Sequence, residues 1–218
     1  MVTSPAGRRE PSSESGPALD AVVVLAGGGS RRLGQDKTRA LVGGVPVLDR
    51  LLLGLAELAP GVPVIVVGPE RPTCQPVTWC REEPAGGGPV AGLACGLAQP
   101  VGEPPKPVPD DGMLAVLAGD LPFAAPAVTS LTAALDEAPA GTDGALGVDS
   151  CGDDQLLVGV HRAGPLRRAV QAQAAAGAVR RVVARLSLVR VPLPDSVTLD
   201  VDTPDDLQRA RMLVQGRP

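Results

Sequence analysis

The chain has 218 residues, enough for one domain with a sizeable core, and its 44% hydrophobic and 20% charged residues are those of a soluble globular protein rather than a disordered chain. A formal net charge of -4 provides no global basic field for a nucleic-acid backbone or an anionic membrane, and with no Tyr, one Phe and one Trp there are no aromatic platforms for stacking bases. The 27 glycines and 24 prolines follow no G-X-Y period, which excludes collagen and requires many loops.

No apolar run approaches the roughly 18 residues of a membrane span, and the opening MVTSPAGRREPSSESGPALD lacks the apolar stretch of a secretory signal, so a cytoplasmic protein is expected. Cys74, Cys80, Cys95 and Cys151 form no C-x-x-C pair and share one histidine, which reads as reduced thiols without a metal role.

Residues 1–19 are rich in Ser, Pro, Glu and Arg and read as a flexible tail, with one domain over 20–218. AVVVLAG, from Ala21, is a continuous β-branched run ended by glycines, the pattern of a strand buried on both faces of a parallel sheet. Pro46 to Leu58 predicts a helix stopped by Pro60 and Gly61, and Val62 to Gly68 a second buried strand. A short strand is expected at Val77 to Cys80, then the glycine run Gly86 to Gly88, then PVAGLACGLAQ as a small-residue helix lying close on the sheet.

Pro100 to Gly112 reads as a Pro-rich surface loop, Met113 to Asp120 as a third buried strand ending in a carboxylate, and Pro126 to Leu135 as a helix. Strands near Gly144 to Asp149 and Gln155 to His161, helices near Pro165 to Ala176 and Arg180 to Leu186, and a strand at Ser187 to Val191 follow. TPDD, from Thr203, supplies an N-cap, a first-turn Pro and two acids suited to the dipole of a last helix. Alternating buried strands and helices predict a three-layer α/β/α sandwich. His161 reads as a strand-end or core residue, and Arg180, Arg181 and Arg185 as a solvated helix face within reach of an anionic ligand.

The chemistry concentrates in LAGGGSRRLGQDKTRAL, Leu25 to Leu41. Gly27 to Gly29 allow backbone N–H groups to converge on an anion, and Arg31, Arg32 and Lys37 add positive charge, as a phosphate cradle requires. The dinucleotide fingerprint needs a glycine where Arg32 stands, and a Walker A loop needs a lysine where Gln35 stands, so neither motif is present.

LAGG-x-S-R-R-L-G-x-D-K resembles the nucleotidyltransferases that make the molybdenum cofactor, the MobA-like NTP transferase family, and LAGG followed by DK points to its guanylyltransferase branch. GGGPVAGL at Gly86 to Leu93, GDLPF at Gly119 to Phe123 and DVDTPDDL at Asp200 to Leu207 resemble three further family motifs in the family's order. The resemblance implies a Rossmann-like, mostly parallel sheet of the nucleotide-diphospho-sugar transferase type. It implies transfer of GMP from GTP to Mo-molybdopterin with release of pyrophosphate, and transient contact with cofactor-biosynthesis proteins or molybdoenzymes. A related cytidylyltransferase or sugar-phosphate nucleotidyltransferase, and a nucleotide-binding protein that has lost catalysis, are the alternatives.

By the same resemblance Leu25, Ala26, Gly27, Gly28, Lys37, Glu82, Gly88 and Asp120 bind the nucleotide. Arg32, Lys37 and Asp120 are the catalytic set, and Asp120 with Asp202 holds Mg²⁺, whose preference for hard oxygen ligands they suit. Backbone groups near Leu25 and a nearby acid are expected to read the guanine edge, with LAGG and Asp36 directly before Lys37 as the signals. The chain departs from the family where Gly68 replaces an asparagine, where DDQLL at Asp153 to Leu157 replaces a His-Pro pair, and where Asp200 and Asp202 replace asparagines.

Overall fold

The structure, a computed structural model, describes residues 19–27, 36–173 and 177–216. The strands are β1 (Ala21–Leu25), β2 (Leu41–Val42), β3 (Val45–Pro46), β4 (Val64–Val67), β5 (Thr78–Cys80), β6 (Met113–Ala118), β7 (Gly144–Val148), β8 (Asp154–Arg162) and β9 (Leu188–Pro192). The helices are α1 (Val47–Leu58), α2 (Pro89–Leu97), α3 (Ala125–Asp136), α4 (Ala163–Gln171), α5 (Val179–Val183), α6 (Asp195–Thr198) and α7 (Pro204–Gln215). Residues 1–18 of the expected tail lie outside the described residues, whereas Leu19 is buried in the core.

Seven strands form the central sheet in the order β5-β4-β1-β6-β8-β7-β9. β1 pairs in parallel with β4 and β6, β4 with β5, and β7 with β9, while β8 runs antiparallel to both β6 and β7. The alternation of side chains along each strand divides the core in two. Val22, Val24, Ala115 and Leu117 face α1 and α3, and Ala21, Val23, Leu114 and Val116 face α2, α4 and α5. Both faces are covered, which is why these strands read as unbroken apolar runs, and the three-layer sandwich is as expected.

β8 departs from the simple alternation of strand and helix. Only residues 149–153 separate β7 from β8, too few for a crossover, so the chain turns back in a hairpin. A further hairpin, β2–β3, forms where no strand was expected. Leu41–Val42 and Val45–Pro46 flank Gly43 and Gly44, both at positive φ (59° and 79°), the two-residue turn whose twist suits a hairpin. This hairpin packs on α7, where Val42, Val47, Phe123, Val201 and Leu207 form a third, smaller cluster.

α2 approaches the sheet closely because it carries glycine where it crosses β1. A Cβ on Gly96 would lie 2.6 Å from Val23 Cγ1 and 3.1 Å from Val67 Cγ2. Gly68 is used in the same way: a Cβ there would stand 3.0 Å from the Ala26 carbonyl carbon, so its absence lets the chain after β1 lie against the end of β4.

His161 is fully buried on β8, with its ring beside Gly144 and Gly159, and its Nδ1 has no hydrogen-bond partner among the described residues. Burial pushes its pKa down to about 4, against a smaller opposing effect of Asp143. The folded state therefore resists protonation that the unfolded chain accepts near 6.5, so stability is complete above that pH and falls as the pH drops toward 4. Between pH 7.5 and 5 the loss is expected to be about 2 kcal/mol at about 1.4 kcal/mol per pKa unit. Urea midpoints of the wild type and His161→Leu at both pH values test this. The variant, which cannot titrate there, should lose that much less, and equal losses would show that His161 is not the responsible group.

Candidate active site

The carboxyl ends of β1, β4 and β6 open onto a cleft of about 390 Å³, a size suited to a small ligand at the position where open α/β sheets bind one. Leu25, Ala26 and Gly27 form one wall as the chain leaves β1, with the Ala26 N–H donating to the Val67 carbonyl at 2.8 Å. Glu82, Gly86, Gly88 and Pro89 line it as well. Gly88 is the N-cap of α2 at φ 89°, which leaves the first helical turn open toward the cleft. Glu82 is buried, and its Oε1 accepts the Gly86 N–H at 2.9 Å, which fixes the carboxylate against the glycine run.

Asp120 lies two residues beyond β6 and lines the cleft, and its backbone carbonyl accepts the Val201 N–H at 3.0 Å, which ties the last loop to this strand end. The loop is held from its other side by a capping box on α7. The Thr203 hydroxyl accepts the Asp206 N–H, and Asp206 in turn accepts the Thr203 N–H at 2.9 Å. Asp202, immediately before that cap, therefore meets Asp120 across the ammonium of Lys37. Lys37 Nζ pairs with Asp120 Oδ2 and lies 2.6 Å from Asp202 Oδ1. Burial on its own would lower the Lys37 pKa, but the hydrogen bonds and charges of Asp120 and Asp202 outweigh it and hold the ammonium above its ordinary value. Asp200 is held above the usual carboxylate range by desolvation and then by the negative charges of Asp202, Asp120 and Asp206.

Leu25, Ala26, Gly27, Lys37, Glu82, Gly88 and Asp120 thus share one cleft, and Asp202 joins it through Lys37. Gly28 and Arg32, together with Gly29 and Arg31, lie outside the described residues. Asp36 turns out to be occupied elsewhere. Its Oδ1 accepts the Thr38 N–H at 3.1 Å and the Thr38 hydroxyl at 2.6 Å, and its Oδ2 accepts from Arg71 at 3.0 Å, so Asp36 does not line the cleft, whereas Glu82 and Asp120 do. Arg180, Arg181 and Arg185 are exposed on and just after α5, as a solvated face. Gln155 is taken up by the β7–β8 turn, where its Nε2 donates to Asp149 Oδ2 at 2.8 Å.

Thr38, Gly86, Pro89 and Leu157 also line the cleft, though none of them is among the site residues expected from the sequence. Gly86 and Pro89 were legible as members of the glycine-proline run. Leu157 was not, because it enters from β8, whose reversal places it beside β6.

Two acidic side chains that converge on one cation satisfy the donor requirements of Mg²⁺, which takes one or two carboxylates and completes its shell with phosphate oxygens and water. Among the described residues no group of three or more His, Cys, Asp or Glu is arranged to enclose a metal by itself. Likewise among them, no helix is long and apolar enough to cross a membrane.

Comparison with known proteins gives concordant results. The model of the MobA-like NTP transferase domain matches residues 22–191. The molybdenum cofactor guanylyltransferase of Rhodobacter capsulatus is 30% identical over 197 residues, 86% of this chain and 93% of that protein. A probable molybdenum cofactor guanylyltransferase of Trichormus variabilis is 42% identical over 79 residues, 35% of this chain and 38% of that protein. Among solved structures, the molybdopterin-guanine dinucleotide biosynthesis protein A of Archaeoglobus fulgidus superposes with a TM-score of 0.65 at 20% identity, covering 90% of this chain and all of that one. The 2-C-methyl-D-erythritol 4-phosphate cytidylyltransferase of Thermus thermophilus gives 0.63 at 18% identity, with the same coverage. These structural likenesses establish the fold alone, one shared by proteins named for different bases.

Proposed function

The chain belongs to the MobA-like NTP transferase family, and on that premise we propose that it is a molybdenum cofactor guanylyltransferase, joining GMP from GTP to Mo-molybdopterin and releasing pyrophosphate. The terminal phosphate of the acceptor attacks the α-phosphorus of the triphosphate, and the bond to the bridging oxygen of pyrophosphate breaks. A phosphate monoester has a second pKa of roughly 6 and is largely ionised at neutral pH, so no protein general base is needed. The difficulty is charge: two anions must meet, and negative charge must move onto the leaving group.

The observation that carries the reading is that Lys37, Asp120 and Asp202 meet beside a cleft walled by Glu82 and the glycine-capped start of α2. In this reading Leu25, Ala26 and Gly27 bring backbone groups to the nucleotide, and Glu82 accepts from donors on the guanine edge. Lys37 exchanges its carboxylate partners for triphosphate oxygens. Asp120 and Asp202 hold Mg²⁺, which supplies charge neutralisation between the reacting phosphates when bound. Arg32 completes the cationic set.

Guanine specificity is the finest part of the proposal. A carboxylate that accepts from the guanine N1–H and amino group finds no matching pair of donors on cytosine, and a site left with unpaired polar groups rejects the wrong base strongly. Purified protein incubated with Mg²⁺, Mo-molybdopterin and equal GTP and CTP should yield the guanine dinucleotide by mass. A cytosine product, or guanine transfer only to a sugar phosphate, would overturn the assignment of donor or acceptor.

A further inference from the structure

We infer that Arg71 is a positioning residue for nucleotide binding, acting through Lys37 from outside the cleft; the inference rests on the reading of Lys37 as a triphosphate ligand. Arg71 stands in the segment that joins β4 to β5, and its side chain is only 10% exposed. Its guanidinium lies 5.8 Å from the ring centroid of Trp79, on the edge strand β5. From there Nη1 donates to Asp36 Oδ2 at 3.0 Å and Nη2 donates to the Thr38 hydroxyl. Thr38 closes the ring, since its hydroxyl and its N–H both donate to Asp36 Oδ1, at 2.6 and 3.1 Å.

An exposed ion pair of this kind would be worth little. Here Asp36 is itself 42% exposed, but a planar guanidinium that is only 10% exposed forks onto two acceptors on residues that flank Lys37, and those two residues are bonded to each other. The ring sets the short 3-10 turn Lys37–Arg39, with Asp36 as its cap, so it fixes the backbone from which the lysine extends. The lysine side chain reaches the other way, to Asp120 and Asp202.

This arrangement matters once a triphosphate competes for the ammonium. When Lys37 leaves its carboxylates, their hold on the turn is lost and the Arg71 ring remains. Lysine is a compact charge on a flexible stem of four carbons, so where its charge arrives depends on how firmly its backbone is held. Because Arg71 also lies against Trp79, the ring ties the turn that carries Lys37 to β5, which ends two residues before Glu82 in the cleft lining. Arg71 does not itself line the cleft, so its influence on a bound nucleotide passes through the turn.

A double-mutant cycle on nucleotide affinity tests this, using the wild type, Arg71→Ala, Lys37→Gln and the double variant, with mant-GTP or mant-CTP, whichever the wild type binds. Arg71→Ala should weaken binding about 10-fold, Lys37→Gln more, and the double variant should bind within about twofold of Lys37→Gln alone, because residues that act as one unit are not additive. A further 10-fold loss in the double variant would overturn the inference, since Arg71 would then act independently of Lys37. Arg71→Lys keeps the charge over Trp79 but cannot span both acceptors, so it should resemble Arg71→Ala; full rescue would also overturn the inference. Both Arg71 variants should melt within about 4 °C of the wild type, the shift that corresponds to roughly 1 kcal/mol, and a larger fall in both would assign Arg71 to the fold instead. A wild type that prefers mant-CTP would sink the guanine assignment and leave this test intact.

Discussion

Asp120→Asn is expected to lower turnover at least ~100-fold while the protein still folds, a loss of about 3 kcal/mol in transition-state stabilisation. The substitution keeps the shape of the side chain and leaves the backbone carbonyl that accepts the Val201 N–H, so the last loop stays docked on the end of β6. The negative charge is what disappears. It faces Lys37 from a position whose side chain is 14% exposed, and in the proposed reaction it is also one of the two carboxylates offered to Mg²⁺. Pyrophosphate release at limiting Mg²⁺ and thermal melting should be measured on the same samples. Activity within a few fold of the wild type would remove Asp120 from the metal site, whatever the protein's acceptor proves to be.

Gly96→Val is expected to destabilise the protein by about 3 kcal/mol and to weaken nucleotide binding with it, through packing alone. The new Cβ would fall 2.6 Å from Val23 Cγ1, on a strand that is 0% exposed at that residue and has no room to retreat. The relief available is for α2 to lift from the sheet. Gly88 and Pro89, at the start of that helix, form one wall of the cleft, so the displacement reaches the ligand. Denaturant midpoints and nucleotide affinity should fall together, whereas Gly96→Ala, with the same Cβ but no branch, should cost less. Unchanged affinity in a destabilised Gly96→Val protein would show that the helix accommodates the side chain without moving its N-terminus.

The same closeness explains what was readable in the chain. PVAGLACGLAQ announces a helix with almost no side chain on one face, which has a use only where a backbone must come near. The β1 run AVVVL and the β6 run MLAVLA have one explanation, burial on both faces of a sheet, and the structure bears it out. The Thr203 cap was equally legible, since capping is local chemistry confined to four consecutive residues. Less legible was Asp36, whose place beside Lys37 suggested a base-reading acid. Its partners include Arg71, 35 positions away, and nothing within the DK motif reveals them.

The sequence by itself therefore determined the three-layer class, the carboxylate at the end of β6, the glycine-capped start of α2 and the family, because each depends on a periodic pattern or on residues adjacent in the chain. Tertiary structure decided the rest. It reversed β8 and so brought Leu157 to the cleft, turned Asp36 to Thr38 and Arg71, set Arg71 behind the Lys37 turn, and brought Asp202 within 2.6 Å of an ammonium 165 residues away. Such contacts join segments whose own preferences say nothing about one another. They are fixed only when the sheet order and the docking of α7 close the chain on itself, as burial of the shared core outweighs the entropy of the intervening loops.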